Sequence, residues 1–293
     1  MIRAVLRYVV FVRCLLILAT AMGAEVERHP PEFFAFQNGL KLPTTELAPT
    51  LKTLGFDGLS TEGYDVTAVL SALKAQGLRL HNTYIGIELD ADRPARSAQF
   101  EKLVDQLQGS GAAIWLTVPK VTRNGRAFSL SDPEGDAVAV LRIKELADYA
   151  EPRGVRIALY PHTGTWVERL DDAARVADKL GRPGVGSTFN LCHFLKVEGE
   201  KDPLPAIRAA LPRLFFVSIN GADGGDTRRL DWKQLIQPLG QGSYDVGRLV
   251  REVRALGYKG PFGLQGYGLT GDPKENGRRS IDAWRKMTAN AVP

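Results

Sequence analysis

Cysteine is nearly missing from this chain: 293 residues contain only Cys14 and Cys192. Cys14 lies in an N-terminal segment expected to be removed, so the mature chain can form no internal disulfide. A core must hold it together, which its length permits. An excess of one charge is also missing. The formal net charge of +5 includes Arg3, Arg7 and Arg13 of that segment, and without them 35 basic residues face 33 acidic ones, or +2. No basic stripe interleaved with aromatics is present either, which argues against a nucleic-acid partner. There is no G-x-G-x-x-G or Walker pattern, so no phosphate fingerprint. The one long apolar stretch is interrupted by Arg13 and falls short of the roughly 20 residues a membrane-spanning helix needs. No internal repeat or low-complexity segment stands out.

Residues 1–24 have a basic start, an apolar run from Leu15 to Ala19, and small residues at Ala19, Ala21, Gly23 and Ala24. This is the layout of a secretory signal peptide, with cleavage expected after Ala21 or Gly23. Export across the inner membrane to the periplasm follows, with no membrane attachment after cleavage. Cys192, beside Leu191 and close to Phe194, reads as a buried structural thiol rather than a nucleophile.

With 44% hydrophobic and 24% charged residues, the rest of the chain is globular. Short apolar runs alternate with helical periodicity. Strands are expected at Phe33 to Phe36, Phe56 to Leu59, Leu78 to Leu80, Ala113 to Val118, Ile157 to Tyr160, Val185 to Phe189, Leu214 to Ile219 and Gly263 to Gln265. Helical stripes lie between them, such as Phe100, Leu103, Val104 and Leu107, or Val167, Leu170, Ala173, Val176, Ala177 and Leu180 closed by Gly181. Lys120 to Leu130 reads as a polar loop, and the strands Ile157 to Tyr160 and Val185 to Phe189 each open into one, at Pro161 to Gly164 and at Asn190 to His193. Strands and helices in this number and order predict an α/β fold, a single-domain (β/α)8 TIM barrel over residues 25–293. A doubly wound open sheet would need fewer strands or a glycine fingerprint after the first.

Ligand chemistry in such a barrel gathers where strands end. Three of the four histidines, His81, His162 and His193, are expected at those ends. Gln37, Asn38, Glu62, Asn82, Tyr84, Thr117, Tyr160, Asn190, Ser218, Asn220, Gln265 and Tyr267 are expected there too. Amides, hydroxyls and aromatic faces suit a sugar, offering paired donors and acceptors and flat apolar surface. The plainer reading is that each amide caps a loop and each histidine serves packing.

Phe36-Gln37-Asn38-Gly39, Leu159-Tyr160-Pro161-His162, Asn190-Leu191-Cys192-His193, the run from Leu239 to Asp245 and Gly257-Tyr258-Lys259-Gly260-Pro261 together resemble the xylose-isomerase-like superfamily of sugar (phosphate) isomerases and epimerases. The resemblance covers essentially the whole mature chain. It implies a small-molecule carbohydrate partner and, in typical members, a divalent metal held by glutamates, an aspartate and histidines at strands five to eight. Matching the motifs places Tyr160, Asn190, Ser218 and Gln265 at those positions, with His162 and His193 as the accompanying histidines. Each carboxylate has a neutral replacement, and hard cations need carboxylate oxygens. No metal cofactor is therefore expected, though imidazole-rich zinc on His162 and His193 with Glu62 or Asp223 is an alternative.

The expected activity is proton abstraction next to a carbonyl of a sugar or keto-sugar, giving isomerisation, epimerisation or elimination. His162 and His193 are the acid and base candidates, and Tyr160 orients them or donates to an oxyanion. Gln37, Asn82, Asn190, Asn220, Gln265, Glu62 and His81 are expected to bind substrate. The alternative is a barrel that binds a sugar without transforming it.

Overall fold

The computed structural model describes residues 30–289. The expected leader, His29 and the start of the mature chain lie outside the described residues. Eight parallel strands close on themselves: β1 Phe33–Phe36, β2 Gly58–Glu62, β3 Arg79–Gly86, β4 Ala113–Thr117, β5 Arg156–Leu159, β6 Val185–Asn190, β7 Leu214–Ile219 and β8 Phe262–Leu264. The ring closes where Phe33, Phe34 and Ala35 pair with Phe262, Gly263 and Leu264. This is the (β/α)8 barrel the sequence predicts.

Each strand is buried on both faces. Outward residues such as Leu59, Ile114, Leu116, Ile157, Leu159, Val217 and Ile219 join one core with the helices. Inward residues Phe34, Phe36, Ala113, Trp115, Ala158, Tyr160 and Phe216 form a second. Trp115 is its hub, with ring centroids 4.9 Å from Tyr160, 5.3 Å from Phe216 and 5.4 Å from Phe36. These rings fill the cylinder, so ligand chemistry is left to its mouth.

The helices form where the apolar stripes lie. Ala98–Leu107 starts at Ser97, whose hydroxyl accepts the Phe100 N–H at 3.2 Å, and it buries Phe100, Leu103, Val104 and Leu107. Leu170–Leu180 ends at Gly181 with φ +64°. Not all of its acidic residues face solvent. Asp172 is buried and shares Arg175 with the equally buried Asp136 of the neighbouring helix, at 2.7 and 2.9 Å. Lys179 reaches Asp136 as well, at 2.6 Å.

Three expectations are corrected. The polar run from Lys120 is not a plain loop: Val121–Arg123 and Arg126–Ala127 pair, and with Leu89–Asp90 they form a small three-stranded sheet. The tip after β6 is not a loop either, because Leu191–Glu198 is helical. Finally, β3 does not end at Leu80. It runs on to Gly86, with a register shift between Leu59 and Ser60 of β2 that places His81 at a bulge. Among the described residues no helix is long and apolar enough to cross a membrane.

Candidate functional site

Two tips dominate the mouth of the barrel. Beyond β5, Tyr160 continues the inward row and the chain turns through His162 to Thr165. Beyond β6, the helix Leu191–Glu198 carries His193 in its first turn. Asn190 caps that helix, its Oδ1 accepting the His193 N–H at 3.4 Å and the Cys192 S–H at 3.0 Å. Adjacent strands therefore bring the two imidazoles into contact, with centroids 4.0 Å apart and planes inclined by 45°. Tyr160 lies 6.1 Å from His162 and 5.9 Å from His193, edge-on to both.

Because its Oδ1 serves main-chain and thiol donors, Asn190 turns its Nδ2 to the Tyr160 hydroxyl, 2.6 Å away. Gln265 behaves likewise. Its Oε1 accepts the Tyr267 N–H at 2.9 Å, which leaves its amide nitrogen on the side of the Tyr160 phenol. The Asn190 N–H thus occupies the phenol oxygen as acceptor, and the phenol's own hydrogen is left to donate. Burial pushes the Tyr160 phenol well above its ordinary range, against the pull of both amides. It is a neutral donor.

Burial also lowers both histidines, His193 well below its ordinary value with His162 beside it as a further cause. Two neutral imidazoles therefore stand together near pH 7. Cys192 is fully buried and its thiol is pushed up to about 12 by desolvation, consistent with a structural role.

Other candidates fall elsewhere. Glu62, at the end of β2, accepts a hydrogen bond from Tyr84, the inward residue near the end of β3, and Tyr84 stands 6.3 Å from Tyr160. This carboxylate and phenol form the second flank of the mouth. His81 is not at a strand tip. It stacks on Phe34 at 4.5 Å near the opposite end of the barrel, with its Nδ1 3.9 Å from Glu32, and burial lowers it to about 3. Asn82 is an interior residue one layer beneath Tyr84, accepting the Ser60 hydroxyl at 2.6 Å. Gln37 is tied to the hydroxyl of Thr61 on β2. Asn220 pins the loop after β7, its Nδ2 donating to Gly221 and Leu235 carbonyls at 2.8 and 2.6 Å.

One residue escaped the sequence reading. Trp232 lies in the long loop after β7 and meets His193 edge-on at 5.5 Å. Its short helix opens with a capping box between Asp231 and Gln234. That D-x-x-Q spacing was the available clue.

The donor set does not suit the divalent cation implied by the resemblance. Asn190 and Gln265 spend their carbonyl oxygens on local donors, Tyr160 is neutral, and Ser218 donates to the Phe189 carbonyl at 3.4 Å. Among the described residues no three His, Cys, Asp or Glu side chains converge as ligands.

Fold and site together define a (β/α)8 barrel with its candidate site at the carboxyl ends of the strands. The chain belongs to the xylose isomerase-like TIM barrel family, whose model matches residues 36–287. It is similar to the 3-dehydroshikimate dehydratase of Pseudomonas aeruginosa, 30% identical over 173 residues, which are 56% of this chain and 25% of that protein. It is also similar to the inosose isomerase of Bacillus velezensis, 25% identical over 163 residues, 55% of this chain and 56% of the other. The matches thus span from a quarter to about half of these curated relatives.

Among solved structures, the 3-keto-D-glucoside 4-epimerase of E. coli superposes with a TM-score of 0.68 at 20% identity, over 87% of this chain and 99% of that one. A D-allulose 3-epimerase from Methylomonas sp., bound to D-allulose, gives 0.69 at 17%, over 88% and 98%. At such identities these structures establish the fold alone.

Proposed function

We propose that this protein removes a proton from a carbon next to a carbonyl in a small carbohydrate or keto-sugar, leading to isomerisation, epimerisation or elimination. One observation carries the reading: a neutral imidazole pair stands beside a buried phenol whose oxygen accepts the Asn190 amide N–H. An imidazole near neutrality takes the proton, and the phenol hydrogen meets the charge that develops on the carbonyl oxygen. The names of the relatives support the substrate class. A 3-keto-glucoside 4-epimerase inverts a carbon next to a ketone by its very description.

The reaction is proposed to run without a metal, since the amide and hydroxyl groups at the strand ends are committed to one another. Dialysis against a strong chelator should leave turnover of a keto-sugar unchanged, and loss of turnover restored by zinc or manganese would refute that part. We further propose that the chain is exported and cleaved near residue 24, which intact-mass analysis of the periplasmic fraction checks. The activity itself is tested by changing His162 and His193 together to alanine. Turnover should vanish while saccharide binding by calorimetry persists; full turnover in that variant ends the proposal. Tight binding by the native protein with no chemical change would leave a carbohydrate-binding barrel.

A further inference from the structure

The turn after β5 fixes more than the position of His162. Thr165 donates its N–H to the His162 carbonyl at 3.1 Å, closing a four-residue turn, and Gly164 takes φ +80° at its third position. Glycine supplies that left-handed backbone without steric cost. The turn aims both main-chain groups of Thr163 at the imidazole pair. The Thr163 carbonyl lies 3.0 Å from Nδ1 of His162. The Thr163 N–H lies 3.4 Å from Nδ1 of His193, and its hydroxyl lies 3.1 Å from the same nitrogen.

A carbonyl oxygen can only accept, so His162 carries hydrogen on Nδ1. A peptide N–H can only donate, so Nδ1 of His193 is bare. A neutral imidazole has a single N–H. Nε2 of His162 is therefore a free lone pair, and Nε2 of His193 is a hydrogen-bond donor. Neither Nε2 has a partner among the described residues, and neither is sealed from solvent.

We infer that Thr163 is a positioning residue that holds the two histidines in opposite tautomers, making His162 the base and His193 the neutral hydrogen-bond donor. The roles rest on the activity proposed above; the tautomers do not. In the step itself, the substrate C–H bond breaks and its proton passes to Nε2 of His162. The C–H electron pair becomes a carbon–carbon π bond, and the carbonyl π pair moves onto oxygen, which meets the Tyr160 O–H and the His193 N–H. A neutral imidazole N–H can polarise a carbonyl in this way. In an α-hydroxy ketone the neighbouring hydroxyl then gives its proton to the enolate oxygen, and the same His162 nitrogen delivers the abstracted proton to the former carbonyl carbon, which completes isomerisation; delivery to the original carbon restores the substrate. Removal and return share one face, so inversion at the carbon would need a group from the other flank, which this pair does not provide.

The test is a long-range proton–nitrogen correlation spectrum of the full chain, uniformly labelled with nitrogen-15, at pH 7.5. His162→Gln and His193→Gln assign the ring signals. His162 should be protonated on Nδ1 alone and His193 on Nε2 alone. Thr163→Val, which removes only the hydroxyl, should leave both patterns in place. The same tautomer in both rings, or an even mixture in either, overturns the inference.

Function gives an asymmetric second readout, with 3-keto-D-glucose in deuterated water as the probe. His162→Gln should abolish deuterium uptake, whereas His193→Gln, which keeps an amide N–H in place, should retain it at a reduced rate. The reverse asymmetry overturns the assignment of roles. If the spectra match and the native protein exchanges no deuterium, the activity fails and the tautomers stand.

Discussion

Tyr160 shows what a single residue contributes here. Its hydroxyl oxygen accepts from the buried Asn190 amide, itself oriented by the His193 N–H and the Cys192 thiol, so the phenol cannot be removed without stranding that N–H. Tyr160→Phe should cost about 1–3 kcal/mol for the stranded N–H, against almost no loss of apolar burial. Urea unfolding at pH 7.5 measures this, and an unchanged midpoint would contradict the network. At this scale the sequence was partly legible. His162, His193, Tyr160, Asn190 and Gln265 were readable because each follows an apolar run that ends abruptly, and such ends converge in a barrel. His81 and Asn82 were misread for the same reason. Inside the cylinder a polar side chain can be satisfied across strands, as Asn82 is by Ser60, so polarity alone did not mark the end of β3.

Among the elements, the turn His162 to Thr165 is the most consequential. Gly164 has open space where a Cβ would stand, so a substitution there tests backbone conformation alone. Gly164→Ala should destabilise the protein by about 1–2 kcal/mol, the cost of a left-handed backbone for an L residue. It should also blur the tautomers of His162 and His193 as the Thr163 groups rotate. Thermal unfolding together with the nitrogen-15 spectrum checks both, and an alanine variant identical to the native protein would show that the turn is not strained. Helices with a clean apolar stripe were readable from periodicity. The helix Leu191–Glu198 was not, because its buried residues are nearly continuous, Leu191 through Leu195, and leave no stripe to see. The Asp136, Asp172 and Arg175 network was hidden too, since it pairs residues from two helices that only the barrel brings together.

For the whole molecule, the neutral histidines make stability depend on pH. His81, His162 and His193 all titrate below their ordinary value in the folded chain, His81 at about 3. In the unfolded chain they titrate near pH 6.5. Below about pH 6.5 the unfolded chain binds more protons, so stability is full above that value and is lost as pH falls toward the folded values. Each histidine contributes up to about 1.4 kcal/mol per pH unit within its own window. The urea midpoint should therefore drop clearly between pH 7.5 and pH 5, and His81→Leu should flatten the drop; a midpoint independent of pH over that range would contradict it.

The barrel itself was the most legible feature, because eight apolar strands alternating with helices leave few other ways to bury both faces of each strand. What it cannot reveal in sequence is which inward side chains meet. Imidazole and phenol at one mouth are proposed to move a proton beside a carbonyl. The most direct measurement is uptake of solvent deuterium into a panel of keto-sugars, followed by proton NMR, for the native protein and for the variant in which His162 and His193 are both glutamine. Uptake by the native protein at a single carbon next to the carbonyl, absent in the variant, is the predicted result. Uptake at the same rate in both would place the chemistry elsewhere in the molecule.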